Sequence, residues 1–207
     1  MKHAALVVVM LVSTFNVEGQ NLQADVQRWQ QHYMAEFLSD PRSPVKAKDT
    51  AYLRFFQPNA SWRVSAAVTL TPDALPFDMA THSGKTKRFR QYAQLLFKPV
   101  GGNRSLVLSA YERVDRPATD TLSGGTLFIP FQDFTNGQES YGGGRYMDLM
   151  KAEVNTGKII VDFNKAYNPY CAFGEGFSCP IPPAENRLKV AIKAGEKLPV
   201  PPLLHNE

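Results

Sequence analysis

The chain has 207 residues, 43% of them hydrophobic and 20% charged. That is an ordinary balance for a domain with a buried core, and the aromatic residues spread along its body argue against disorder. A net charge of +4 and a pI near 9.0 give weak attraction to anionic surfaces, and with no long basic run they do not mark a nucleic-acid-binding protein.

The N-terminus carries an address. Lys2 and His3 lead into nine unbroken apolar residues, Ala4 to Val12, followed by Ser13, Thr14 and Val17-Glu18-Gly19. This is the layout of a secretory signal peptide, with cleavage expected between Gly19 and Gln20. The apolar run falls short of the ~20 residues that span a bilayer, so no transmembrane segment is expected once residues 1–19 are removed. The mature chain, 20–207, is expected to be one β-rich domain, exported to the periplasm or the medium. Two cysteines, Cys171 and Cys179, fit one disulfide in that setting. Closing so short a loop would stabilise the fold by roughly 2.5 kcal/mol.

Next comes a helix over 22–38, where Leu22, Val26, Trp29, Tyr33 and Phe37 recur at helical steps. It ends at Ser39-Asp40-Pro41, because the residue before proline resists helical geometry. A polar connector, 41–49, precedes strands at 52–56 and 62–70, which are rich in aromatic and β-branched residues. Residues 87–97 alternate: Phe89, Ala93, Leu95 and Phe97 share one face. Lys85, Lys87, Arg88 and Arg90 form the densest cationic cluster, read as a solvated strand edge. Gly101-Gly102-Asn103 turns the chain into a strand at 106–114, and a polar loop fills 115–124. Further strands are expected at 126–131, 146–149, 158–163 and 188–192, then an extended proline-rich tail at 199–207. Short strands joined by Gly, Pro and Asn turns, with no alternation of strand and helix, predict a mainly β protein. The expected form is a single antiparallel β-sandwich or barrel-like domain with one N-terminal helix.

Polar residues concentrate in two stretches. The first, 131–149, holds Asn136-Gly137, Glu139, Tyr141, the run Gly142-Gly143-Gly144, then Arg145 and Asp148. Glycine amides and an arginine fork could form an anion pocket. Alternatively, Arg145 is a buried staple paired with Glu139 or Asp148. The second stretch holds Asp162 and Asn164 at a strand end, then Tyr167, Asn168 and Pro169. Asp and Asn at such a place could hold a substrate, and more often cap the following turn. Glu185-Asn186 belongs to the same class. The candidate ligand-contacting residues are therefore Glu139, Tyr141, Gly143, Arg145, Asp148, Asp162, Asn164, Tyr167, Asn168 and Glu185. No hydrolase elbow or metalloprotease motif occurs, and no cofactor or metal is expected.

Residues 131–197 resemble a bacterial family catalogued as domain of unknown function 1684. The likeness rests on Asp133, Thr135-Asn136-Gly137, Glu139, Tyr141 to Tyr146, Asp148-Leu149, Asp162-Phe163-Asn164, Ala166 to Pro169, Cys171, Cys179-Pro180, Pro182-Pro183, Glu185-Asn186 and Ala194 to Lys197. It implies homology and an exported context, and carries no activity with it. The expected function is non-catalytic binding of a small polar or anionic ligand. The alternative is a hydrolase of carbohydrate or cell-envelope material using Glu139 and Asp162 as acid and base.

Overall fold

The computed structural model describes residues 17–115 and 125–199, with side chains from residue 21 onward. Most of the predicted signal peptide, most of the 115–124 loop and most of the proline-rich tail lie outside the described residues. Helix α1 runs Val17–Ser39, five residues earlier than its apolar stripe predicts. Leu22, Val26, Tyr33 and Phe37 are buried. It stops where the Asp40 carboxylate accepts the Arg42 amide at 2.9 Å, a local bond that competes with the next helical turn. No described helix is long and apolar enough to cross a membrane.

The strands are β1 (Arg63–Leu70), β2 (Phe77–Ala80), β3 (Thr86–Phe97), β4 (Leu106–Arg113), β5 (Thr126–Phe131), β6 (Arg145–Met150) and β7 (Lys158–Asp162), with a single-turn helix α2 (Lys151–Val154) between the last two. All pair antiparallel in one sheet of order β6-β5-β4-β3-β1-β7, with β2 hairpinned onto β3. The protein is thus mainly antiparallel β, and of the two forms expected it takes the barrel-like one: a single sheet curled into a half-barrel. A bulge between Gln91 and Ala93 sharpens the twist of β3 against β4. Beyond β7 the chain turns back and Tyr167 exchanges both backbone hydrogen bonds with Tyr146 of β6, at 2.8 and 2.9 Å. One residue pair therefore bridges the two open margins of the sheet.

Inside the curl lies the main core, including Leu95, Phe97, Leu108, Leu127, Ile129, Phe131, Val161 and Phe163. Ala66, Ala93 and Ala110 occupy the middle of β1, β3 and β4, leaving room for the large rings beside them. The C-terminal segment plugs the open side through Leu188, Ile192 and Ala194. A second cluster fixes α1: Tyr33 and Phe37 pack with Val45, Leu53 and Phe173. Burying one such ring is worth ~1.5–3 kcal/mol.

Two expected strands are absent. Residues 52–56 follow a 3-10 helix, Ala47–Tyr52, and only Phe55 makes a bridge, to Glu196. Residues 188–192 alternate in burial as a strand would, yet bond only intermittently: Leu188 N–H to Gln132, Phe134 N–H to Val190, and Ile192 N–H to the Asp133 carboxylate. Leu53 is buried in the cluster around α1, and Leu188 and Ile192 in the core of the half-barrel, without a ladder. Cys171 and Cys179 form the expected disulfide. It anchors a loop whose far end pairs with the end of β2, through His82 N–H to Cys179 and Ile181 N–H to Ala80.

Candidate functional site

The glycine–arginine loop is built from the inside. Arg145, first residue of β6, is completely buried, and so is the Asp133 carboxylate that meets its Nη2 at 2.7 Å. Its partner is therefore Asp133, rather than Glu139 or Asp148 as the spacing suggested. Its two Nη atoms also donate to backbone carbonyls of the C-terminal segment, Ile192 at 2.9 Å, Glu196 at 3.2 Å, and Ala194, while Nε–H has no hydrogen-bond partner. Asp133 also accepts from Thr135 N–H and Oγ1 and from Ile192 N–H. Burial pulls the Arg145 pKa down while Asp133 and then Glu196 push it up. Of the glycines, Gly144 has φ +98°, and a Cβ there would lie 2.6 Å from Pro182 and 2.7 Å from the Phe131 carbonyl. Its N–H bonds Tyr141 O at 3.1 Å. A Cβ on Gly143 would meet the Tyr141 ring at 2.4 Å. Gly143 and Gly144 are needed for close packing, and this loop ties β6 to the C-terminal segment.

On the far side of that segment lies Glu196, also fully buried. Its Oε2 accepts Tyr33 Oη–H of α1 at 2.8 Å and Asn168 N–H at 2.7 Å, while its Oε1 has no hydrogen-bond partner. Burial pushes its pKa up to about 8, against smaller lowering effects from Asn168, Tyr33 and Arg145. Glu196 is the hinge between the Arg145 network and a cleft of about 390 Å³ formed where α1 meets residues 167–180.

That cleft is walled by rings: Tyr33, Phe37, Tyr146, Tyr167, Tyr170 and Phe177, with Arg42 and Lys87 also lining it. Each tyrosine hydroxyl donates inward, to Glu196, Pro180 O, Asp148 and Asp40 respectively for Tyr33, Tyr146, Tyr167 and Tyr170. Burial raises the pKa of all four, that of Tyr170 to about 12 with help from its bond to Asp40. The rings are thereby held neutral and fixed in orientation. Asn168 also lines the cleft; its Nδ2 donates to Lys197 O at 2.8 Å, and its buried Oδ1 has no donor. Arg42 is paired with Asp40, which it holds at a pKa of about 2. Lys87 Nζ donates to Ser178 O. A guanidinium carries more donors than one carboxylate takes up.

Of the residues singled out in the sequence, Tyr167 and Asn168 line this cleft. Asp148, Asp162 and Tyr167 line another, of about 340 Å³, together with Arg63, Glu153 and Lys165. Asp162 and Asn164 cap the turn after β7, where Asp162 accepts Asn164 N–H at 3.0 Å and Asn164 binds both backbone groups of Asn59. Glu139 pairs with Lys193 at the surface, so nothing among the described residues joins it to Asp162. Tyr141 lines a shallow depression with His82 and Ser83, and Glu185 accepts Tyr111 Oη–H at 2.8 Å. No group of three or more described His, Cys, Asp or Glu side chains could hold a metal ion. Sequence reasoning passed over Asp133, Glu196, Tyr33, Tyr146, Tyr170 and Arg42 as site residues, and read Lys87 as part of a solvated strand edge. Three of the tyrosines are legible only as ordinary core aromatics until α1 is docked.

No curated protein matches the chain. A solution NMR structure of an uncharacterized protein of Haloarcula marismortui is similar, with 35% identity, 84% of this chain and 97% of that chain covered, and a TM-score of 0.61. A family model described as "Protein of unknown function (DUF1684)" matches residues 48–197, a longer stretch than the motifs alone mark. The chain belongs to that family.

Proposed function

We propose that this is an exported binding protein, one domain after loss of residues 1–19, whose ligand is a small molecule with a flat apolar body and an anionic end. The observation that carries this reading is the aromatic cleft between α1 and residues 167–180. Its ring faces are presented by hydroxyls already tied down, so the walls offer stacking surface without competing donors. Arg42 and Lys87 supply charge for the anionic end. The Cys171–Cys179 disulfide is consistent with export.

The test is calorimetry of the mature protein against aromatic carboxylates, alkyl carboxylates and inorganic phosphate. Aromatic carboxylates should bind best. Arg42→Gln should weaken them by ~10-fold or more, the loss of a charged hydrogen bond. Failure of every probe, or an Arg42 variant indistinguishable from the unmodified protein, would remove this cleft from consideration.

A further inference from the structure

A further cavity lies away from the aromatic cleft, between the β3–β4 hairpin loop and residues 185–190, with a volume of about 740 Å³. Its lining combines apolar side chains, among them Trp62, Leu106 and Val190, with three cations, Arg104, Arg187 and Lys189. The cations are exposed and none makes an ion pair with a described residue. For Arg104 and Arg187 that is unusual in this protein. Arg28, Arg42, Arg63, Arg88, Arg90, Arg113 and Arg145 all pair with carboxylates, so among the described arginines only Arg54, Arg104 and Arg187 do not, and two of these three line one cavity. The single acid in the lining, Glu185, already accepts the Tyr111 hydroxyl. The cavity thus carries three positive charges against one negative, a surplus of two.

We propose that this cavity binds an anionic amphiphile, with a phosphate-type head held by Arg104, Arg187 and Lys189 and an apolar body against Trp62, Leu106 and Val190. Arginine forks match the oxygens of such a head two at a time. The volume falls within the ~300–1,000 Å³ of small-molecule sites, which favours one free molecule over a polymer. The apolar lining gives the body a reason to bind that inorganic phosphate lacks. This site is independent of the aromatic cleft and shares no residue with it.

Trp62 reports on it directly. The chain has two tryptophans, so Trp29→Phe leaves Trp62 as the sole emitter, and calorimetry on the unmodified protein guards against a perturbed variant. Decyl phosphate below its micelle concentration should shift Trp62 emission saturably. Arg104→Gln with Arg187→Gln should weaken it by ~10-fold or more, and Arg42→Gln should leave it unchanged. The proposal is overturned by an equal response to decyl maltoside, by inorganic phosphate binding as tightly as the alkyl ester, or by no response at all. It is overturned also by a double variant that binds normally. A response only to phosphatidylglycerol vesicles would make the face a membrane contact, and loss in Arg42→Gln would return the ligand to the aromatic cleft; either result rejects a single amphiphile here.

Discussion

Arg145 and Glu196 show how two buried polar side chains can hold one strand of chain from opposite sides. Arg145 grips the carbonyls of residues 192–196, and Glu196 grips α1 through Tyr33. Removing one partner of a buried ion pair costs ~3–5 kcal/mol. At ~2–4 °C per kcal/mol for a domain of this size, Arg145→Met should lower the melting midpoint by on the order of 10 °C; an unchanged midpoint would mean the fold does not need this residue. Glu196 makes a pH-dependent contribution whose sign follows from its raised pKa. Its carboxyl titrates at 4.5 when unfolded and at about 8 when folded. Between those values the folded state keeps a proton that the unfolded state has released. The stability it confers is complete below pH 4.5 and is lost as pH rises towards 8. Melting profiles of Glu196→Gln from pH 4.5 to 9 should be flatter than those of the unmodified protein, and parallel profiles would show that Glu196 does not titrate in this range.

Among the elements, the glycine loop makes a sharp comparison. Gly142→Ala meets nothing closer than 3.6 Å and needs no unusual φ, whereas Gly144→Ala has a positive φ and a Cβ 2.7 Å from a backbone oxygen. Chemical denaturation should place the first within ~0.5 kcal/mol of the unmodified protein and the second several kcal/mol below it, from strain and overpacking of ~1–3 kcal/mol each. Equal effects would contradict the packing described. For α1, Tyr33→Phe removes a hydrogen bond to a buried carboxyl, a loss of ~1–3 kcal/mol, and amide exchange should show the helix opening more often; unaltered exchange would place its anchorage elsewhere. The sequence announced these elements unevenly. The alternation in β3 and the apolar spacing of α1 are local signals, and both elements form where expected. β2 was missed because it is four residues long and follows Pro76. Residues 52–56 and 188–192 carry strand-like apolar runs that are buried by docking, which periodicity alone does not distinguish. The Arg145–Asp133 pair was out of reach for another reason: it depends on how the eleven residues between them fold back, and nearer acids competed for the assignment.

For the whole molecule, the mainly β class and the disulfide were legible, because strand alternation and cysteine pairing both leave compositional marks. The aromatic cleft was not, since it exists only after α1, β6 and the disulfide loop meet. Reducing Cys171–Cys179 should lower the midpoint by ~5–10 °C, from roughly 2.5 kcal/mol of loop constraint; no change would show that the surrounding contacts already fix the loop. If the leader is removed as its sequence suggests, the exported protein should begin at Gln20 by N-terminal sequencing, and a mature chain still carrying residues 1–19 would contradict that reading.

The placement of β7 beside β1 matters during synthesis. Arg63 pairs with Asp162, so β1 lacks one neighbour until 99 further residues have left the ribosome. At ~5–20 residues per second that interval is ~5–20 s. Throughout it, β1 presents an unpaired hydrogen-bonding edge able to join a strand of another chain. Translation of this protein thus creates a window of vulnerability to misassembly that ends only when the late-made β7 arrives.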